Sequence, residues 1–272
     1  MSKRGAILAS GISGGIVVLA VVLLVVGLPW RQPVSASRHY DGERIVFTAS
    51  HSDAFAACEQ RLESTSRTVP TATILGASYT AGVGPDNSSL SWSVLLARKL
   101  GWDTAIYGDP GAGYVSTGSG RDGPVLRMLA RTRLRSLDPS LVVLQFGHDD
   151  IGVPTGVERL AVDRTISTVR AEDPGARLAL ITVFTGPGSQ AGAWRTDRVI
   201  VSAAKAADPS AIIIDPLAEH WVYQRAHHGL HPTAAGDRWI AQKVYDTLST
   251  DGIRSAHSGD GATICDSAVG AS

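Results

Sequence analysis

Between residues 70 and 250, short apolar runs alternate with longer segments whose apolar residues recur at helical spacing. The predicted strands are Thr73 to Leu75, Thr104 to Tyr107, Leu141 to Phe146, Leu178 to Val183 and Ala211 to Ile214. The predicted helices are Ser91 to Leu100, Pro124 to Ser136, Val157 to Glu172, Ala193 to Ala207 and Thr233 to Thr250. Apolar strands joined by helical crossovers are typical of a parallel sheet that is covered on both faces. We therefore predict an α/β domain with five parallel strands.

A second apolar pattern lies at the N-terminus, where Lys3 and Arg4 precede an uncharged run from Gly5 to Pro29. About 20 to 24 apolar residues at about 1.5 Å each span a hydrocarbon core, whereas signal-peptide apolar regions are usually about 7 to 15 residues. We therefore predict that residues 1–30 form a cytoplasmic tip and a single-pass membrane anchor, with the remainder outside the cell. The small residues at 34–36 leave a cleaved signal peptide, and hence a secreted protein, as the alternative.

The segments on either side of the α/β domain carry the only two cysteines, Cys58 and Cys265. Residues 31–69 are expected to form an extracytoplasmic linker with a short helix from Asp53 to Glu63, for which Asp53 is the candidate N-cap. Residues 251–272 are expected to form an irregular tail. Outside the cell, two cysteines that flank one domain predict a disulfide, and two buried free thiols are the alternative.

Charge excludes one class of function. The chain of 272 residues has a formal net charge of zero, with 25 basic and 25 acidic residues. Proteins that bind nucleic acids usually carry a basic surface, so we expect no nucleic-acid partner.

Two segments point to covalent chemistry. The first is the strand-to-turn segment Gly76-Ala77-Ser78, and the second contains His231, which precedes a proline far downstream. A serine becomes a good nucleophile only when a base removes its proton, so we assign Ser78 as nucleophile and His231 as base. The nucleophile elbow of the α/β-hydrolases is excluded because Thr80 stands where that motif needs glycine.

Four motifs resemble those of the SGNH (GDSL-type) esterases and acyltransferases across roughly residues 70 to 250. They are Gly76-Ala77-Ser78, Gly111-Ala112-Gly113, Gly147-His148-Asp149-Asp150 and His228-Gly229-Leu230-His231-Pro232. The resemblance implies a three-layer flavodoxin-like sandwich with a central five-stranded parallel sheet, in which residues 70–250 are the catalytic domain. It also implies that the oxyanion is received by the N–H groups of Ser78 and Gly113 together with Asp149, and Gly111 is the alternative glycine.

Three residues depart from the family pattern. Ala77 stands where the family has aspartate, Asp149 where it has the oxyanion-hole asparagine, and His228 where it has the triad aspartate. An ionised Asp149 would oppose the charge that develops, so it is protonated and donating, turned away, or evidence of changed chemistry. Asp150 is expected to hold its loop through backbone hydrogen bonds. Ser78 and His231 are expected to work as a dyad, with His228 as a third member of the triad or a substrate contact.

These features predict an exported, membrane-anchored serine esterase or O-acyltransferase. Its expected partners are the membrane, through the N-terminal helix, and an acyl-ester substrate on an envelope glycan or lipid, which reacts through an acyl-enzyme at Ser78. No cofactor and no metal is expected, because the histidines at 227, 228 and 231 have no cysteine or second carboxylate beside them in the sequence. The alternative is a catalytically degenerate protein of the same fold that binds a glycan or lipid.

Overall fold

A computed structural model describes residues 51–64, 69–85, 88–119, 123–186, 190–227, 229–256 and 262–267. The predicted anchor, residues 1–30, lies outside these ranges, as do most of the linker and His228. Among the described helices, none combines the length and apolar character needed to cross a membrane.

The described part of the chain forms one α/β unit. Its elements in chain order are α1 (His51–Ser64), β1 (Thr71–Gly76), α2 (Trp92–Leu100), β2 (Asp103–Gly108), α3 (Val125–Leu129), α4 (Leu134–Leu137), β3 (Leu141–Gln145), α5 (Thr155–Glu172), β4 (Arg177–Ile181), α6 (Gln190–Ala207), β5 (Ile212–Ile214), α7 (Ala234–Thr250) and β6 (Ile264–Asp266). The strands form one sheet in the order β5-β4-β3-β1-β2-β6, and every pair is parallel.

Two hydrophobic cores cover the two faces of the sheet. Because side chains alternate along a strand, Val142 and Leu144 of β3 enter one core while Leu141 and Val143 enter the other. The first core also receives residues of α1 and α3 to α6, and the second receives residues of α2 and α7. The predicted α/β sandwich with helices on both faces is therefore confirmed.

The prediction of five strands was wrong, because residues Ile264–Asp266 add a sixth strand at the edge beside β2. The segment around Cys265 is too short and too polar to predict a strand from sequence. It forms one through its contacts with the rest of the fold. Cys265 is bonded to Cys58 of α1, which is the disulfide predicted from the cysteine count. The C-terminal tail is therefore fixed to both α1 and the sheet.

Two helix predictions also need correction. The helix predicted from Pro124 to Ser136 is divided into α3 and α4, and between them the Thr132 hydroxyl donates to the carbonyl of Leu129. Such a side-chain bond competes with the helical backbone pattern. Helix α1 begins at His51, so Asp53 is not the N-cap. Asp53 lies in the first turn, where its negative charge interacts favourably with the helix dipole.

Candidate active site

The carboxyl ends of β1, β2 and β3 meet at one edge of the sheet, and the loops that follow them hold the predicted site residues. Gly76 at the end of β1 is in register with Gly108 of β2 and with Gln145 of β3. The three loops therefore start side by side, which is where ligands bind in open parallel sheets.

A tight turn after β1 presents Ser78. The Ala77 N–H donates to the Gln145 carbonyl, and the Ala81 N–H donates back to Ala77. The Thr80 hydroxyl donates to the Gln145 side chain at 2.9 Å. A Cβ at residue 76 would overlap the Thr80 side chain, so only glycine allows this turn to pack so closely on β3. The turn leaves Ser78 8% exposed.

His231 lies in the loop between β5 and α7, and its Nε2 is 2.9 Å from the Ser78 Oγ. The loop is held by backbone bonds from Ala226 N–H to the His231 carbonyl and from Thr233 N–H to the Gln224 carbonyl. Thr233 then caps α7 by accepting from the Gly236 N–H. The structure therefore brings the predicted nucleophile and base together over 153 residues of sequence.

Tyr79, which the sequence analysis did not single out, connects the two halves of this pair. Its hydroxyl donates to the Leu230 carbonyl at 2.5 Å and lies 3.0 Å from the Tyr223 hydroxyl. Its ring stacks on Phe184 at a centroid distance of 4.3 Å. Burial raises the pKa of the Tyr79 phenol, and the Tyr223 phenol beside it adds to this effect, so the group stays a hydrogen-bond donor. Tyr79 therefore ties the turn of Ser78 to the residue before His231.

Asp150 is fully buried and accepts three backbone hydrogen bonds, from the N–H groups of Tyr114 (2.6 Å), Val115 (3.2 Å) and Ser116 (2.9 Å). A Cβ at residue 113 would overlap its carboxylate, which explains the glycine there. Asp150 thus holds a loop through backbone bonds, but the loop is the one after β2, whereas the sequence suggested its own loop.

The glycine donor predicted at Gly113 is already engaged, because its N–H donates to the Ser116 carbonyl at 2.9 Å within the same turn. The N–H groups of Ser78 and Gly111 have no acceptor among the described residues. Gly111 has φ of +82°, a conformation that glycine adopts without strain, and it is less buried than Gly113. The Gly113 N–H thus has an acceptor within its own turn, whereas Gly111, the alternative that the sequence leaves open, stays a candidate donor.

Asp149 has one buried carboxyl oxygen, Oδ2, with no hydrogen-bond partner in the described part of the chain. Burial raises the pKa of this carboxyl, His148 opposes the shift, and the negative charges of Asp150 and Asp109 add to it. The Asp149 carbonyl accepts from the Ser116 hydroxyl at 2.7 Å, so the residue is joined to the loop after β2. This environment favours protonation of Asp149 more than water does, in the direction that a donating carboxyl requires.

His228, predicted as a third triad member or a substrate contact, lies outside the described residues. Within them, no three histidine, cysteine, aspartate or glutamate side chains are grouped as metal ligands would be.

Comparison with known proteins adds family information to this geometry. The model of the GDSL-like lipase/acylhydrolase family matches residues 74–239. The GDSL lipase Rv0518 of Mycobacterium tuberculosis is 29% identical over 193 residues, which cover 65% of this chain and 81% of that protein. A family two carbohydrate esterase from Cellvibrio japonicus shares the fold with a TM-score of 0.56 and 15% identity, over 68% of this chain and 62% of that one. TesA shares it with a TM-score of 0.52 and 22% identity, over 66% of this chain and 98% of the other.

Proposed function

The chain belongs to the GDSL-like lipase/acylhydrolase family and is a hydrolase of the SGNH type, and from that premise we propose that it is an exported, membrane-anchored serine esterase or O-acyltransferase. The proposed substrates are acyl esters of envelope glycans or lipids. The observation that carries the proposal is the 2.9 Å contact between the Ser78 Oγ and the His231 Nε2.

In the proposed acylation step, the Ser78 Oγ attacks the ester carbonyl while His231 takes the hydroxyl proton. The tetrahedral intermediate collapses, the C–O bond to the alcohol breaks, and His231 returns the proton to the leaving oxygen. The acyl group then remains on Ser78 as an ester. Water or a sugar hydroxyl next attacks this ester and gives its proton to His231. The bond between the acyl carbon and the Ser78 Oγ then breaks, and His231 returns the proton to Ser78. The choice of acceptor separates hydrolysis from transfer.

The negative charge on the intermediate is proposed to be received by the N–H groups of Ser78 and Gly111, the two donors without an acceptor among the described residues. Asp149 adds a third donor in its protonated form, through the buried oxygen that has no partner. Asp150 contributes indirectly, because its carboxylate fixes the backbone of the loop after β2.

Export and anchoring are supported by the apolar run from Gly5 to Pro29 and by the bond between Cys58 and Cys265, since such disulfides persist mainly in oxidising compartments. A glycan ester is proposed because the fold is shared with a carbohydrate esterase. A lipid ester is proposed because a relative carries the name of a lipase.

The test is labelling of the full chain in detergent with a fluorophosphonate, together with turnover of p-nitrophenyl acetate. We expect covalent capture at Ser78, and loss of both labelling and turnover in Ser78→Ala. Ser119→Ala is the matched control, because Ser119 is an exposed serine on the neighbouring loop whose hydroxyl donates to the Pro110 carbonyl. Turnover that survives in Ser78→Ala would refute the assignment.

A second candidate function, binding without catalysis, is favoured by one observation. Asp149 replaces the family's asparagine, and an ionised carboxylate there would oppose the oxyanion. Ligand binding without fluorophosphonate capture would support this alternative. A further variant, His228→Asp, restores the residue that the family has in the triad. If Ser78 and His231 work as a simple dyad, it should raise turnover, whereas a tenfold loss in folded protein would show that His228 has a role of its own.

A further inference from the structure

A cleft of about 470 Å³ opens between the segment after β4, the first turns of α6 and the loop after β5. Its walls include Trp194 from α6 and Trp221 and Tyr223 from the loop after β5. The carboxyl ends of β4 and β5 lie on the same side of the sheet as those of β1 and β3, so this cleft faces the same edge as Ser78.

Two contacts join the cleft to the catalytic residues. The Tyr223 hydroxyl lies 3.0 Å from the hydroxyl of Tyr79, the residue after Ser78. Gly186, which also lines the cleft, packs so closely on Leu230 that a Cβ at residue 186 would lie 3.1 Å from the Leu230 Cδ1. Leu230 directly precedes His231. Residues of the cleft wall therefore contact Tyr79 and Leu230, the sequence neighbours of Ser78 and His231.

The lining combines aromatic faces with positive charge. Arg225 lies with its guanidinium carbon 4.8 Å from the Tyr223 ring centroid, and its Nε is buried without a hydrogen-bond partner among the described residues. The ion pairs found in the described ranges do not include Arg225. No aspartate or glutamate lines the cleft, and the nearby Glu219 accepts a hydrogen bond from the Trp221 indole N–H at 2.8 Å.

The loop that forms this wall is already held in place. The Asp215 carboxylate accepts from the N–H groups of Leu217 and Ala218, and the Trp221 N–H donates to the Pro216 carbonyl. His220 has φ of +53°, a left-handed conformation that costs a non-glycine residue about 1 kcal/mol or more. A preformed wall loses little conformational entropy when a ligand binds.

We propose that this cleft binds an anionic sugar unit of the substrate. Arg225 pairs with the carboxylate or phosphate of that sugar, because its planar fork of donors matches both anions. The ring of Trp194 packs against the apolar face of the pyranose, because Trp221 is largely buried and Arg225 covers the Tyr223 ring. The inference rests on the proposed function, since it names the kind of glycan whose ester reaches Ser78.

The test is a titration of the full chain in detergent, followed by tryptophan fluorescence, since two indoles line the cleft. The probes are trigalacturonic acid and neutral maltotriose. We expect the acidic trisaccharide to bind at least tenfold more tightly than the neutral one, and Arg225→Gln to weaken its binding at least tenfold. Arg225→Lys keeps the charge but loses the planar fork, so it should show an intermediate loss. Arg195→Gln, an exposed arginine next to Trp194, is the matched control and should change binding less than twofold.

Thermal melting of each variant shows whether it is folded. If Arg225→Gln does not fold, Arg225→Lys takes its place in the comparison. Equal binding of the two trisaccharides, or no binding of either, would overturn the proposal. A parallel titration with galacturonic acid and glucose 6-phosphate identifies the preferred anion, and binding of neither would also count against it. Labelling of Ser78 without selective sugar binding would refute the cleft alone, whereas selective binding without labelling would refute the proposed esterase function and leave the cleft assignment standing.

Discussion

Glu158 gives the sharpest test of the electrostatics around the site. It lies in the first turn of α5, is 1% exposed, and neither carboxyl oxygen has a hydrogen-bond partner in the described ranges. Burial raises the pKa of this carboxyl to about 8, and the negative charge of Asp150 adds to the shift. The Tyr114 hydroxyl also has no partner there. Burial raises the pKa of this phenol well above its usual range, and the charges of Glu158 and Asp150 add to the shift. At neutral pH the native state therefore keeps Glu158 protonated.

The sign of the effect on stability follows from the two states of the chain. In the unfolded chain Glu158 releases its proton near pH 4.5, whereas the native state holds it until about pH 8. Between these values the unfolded state binds fewer protons, so the free energy of unfolding falls as pH rises. A shift of roughly 3.5 units at about 1.36 kcal/mol per unit sets a ceiling of about 5 kcal/mol. The N-terminal turn of α5 favours the ionised form and lowers this figure.

The assay is urea unfolding of the wild type and Glu158→Gln from pH 5 to pH 9. Glutamine has nearly the same shape as protonated glutamate and does not titrate. The free energies of unfolding of the two proteins should therefore agree within about 1 kcal/mol at pH 5. The variant should become the more stable by a few kcal/mol at pH 9. Glu172→Gln, at the far end of the same helix in a partly exposed ion pair with Arg135, is the control and should show no such trend. Burial raises the pKa of Asp237 to about 7. This makes the free energy of unfolding fall with pH by a similar amount in both proteins, so it cancels in the comparison. A difference between wild type and variant that stays constant from pH 5 to pH 9 would refute the reasoning.

Three further predictions concern the site and the fold. Asp149→Asn should keep its turnover at alkaline pH, whereas the wild type should lose turnover there as the protonated carboxyl ionises. The assay is the pH–rate profile of kcat, and an alkaline decline of the same size in both proteins would contradict the idea. Tyr79→Phe removes the hydrogen bond to the Leu230 carbonyl and should lower kcat about fivefold, equivalent to about 1 kcal/mol, with little change in KM; an unchanged kcat would mean that the contact does not position the base. Replacing both Cys58 and Cys265 by serine opens a loop of 207 residues and should lower the free energy of unfolding by about 5 kcal/mol, measured in urea, and a loss below about 1 kcal/mol would contradict the chain-entropy account.

The sequence predicted the strands that are apolar enough to need burial on both faces of a sheet. Each residue of β3 is buried, and its run of Leu, Val and Val is explained only by a sheet covered on both faces. The sixth strand has no such signal. Ile264–Asp266 is short, and it is held beside β2 and bonded to Cys58 by contacts that form only in the folded chain. The break between α3 and α4 was missed for a similar reason, because helical spacing does not show the hydroxyl bond of Thr132.

In the site, Ser78 and His231 were predictable because each residue type has a chemical requirement that a motif can carry. The sequence could not show which glycine N–H has an acceptor of its own, since this depends on the turn, as the Gly113 bond to the Ser116 carbonyl shows. Tyr79 had no local signal either. An aromatic residue after a strand predicts only a buried core position. The Tyr79 hydroxyl donates to the Leu230 carbonyl only in the folded chain, because the two residues are 151 positions apart in sequence.

The proposed chemistry places opposite protonation requirements on His231 and Asp149. His231 must be neutral to accept the Ser78 proton, so turnover declines towards acid pH as the imidazole becomes charged. Asp149 must be protonated to donate to the oxyanion, so turnover declines towards alkaline pH as it ionises. A family member with asparagine at this position has only the first requirement. Burial raises the pKa of Asp149, which widens the interval in which both conditions hold. In the proposed chemistry, aspartate at position 149 therefore adds an alkaline limit to the pH dependence of turnover, and burial moves this limit to higher pH.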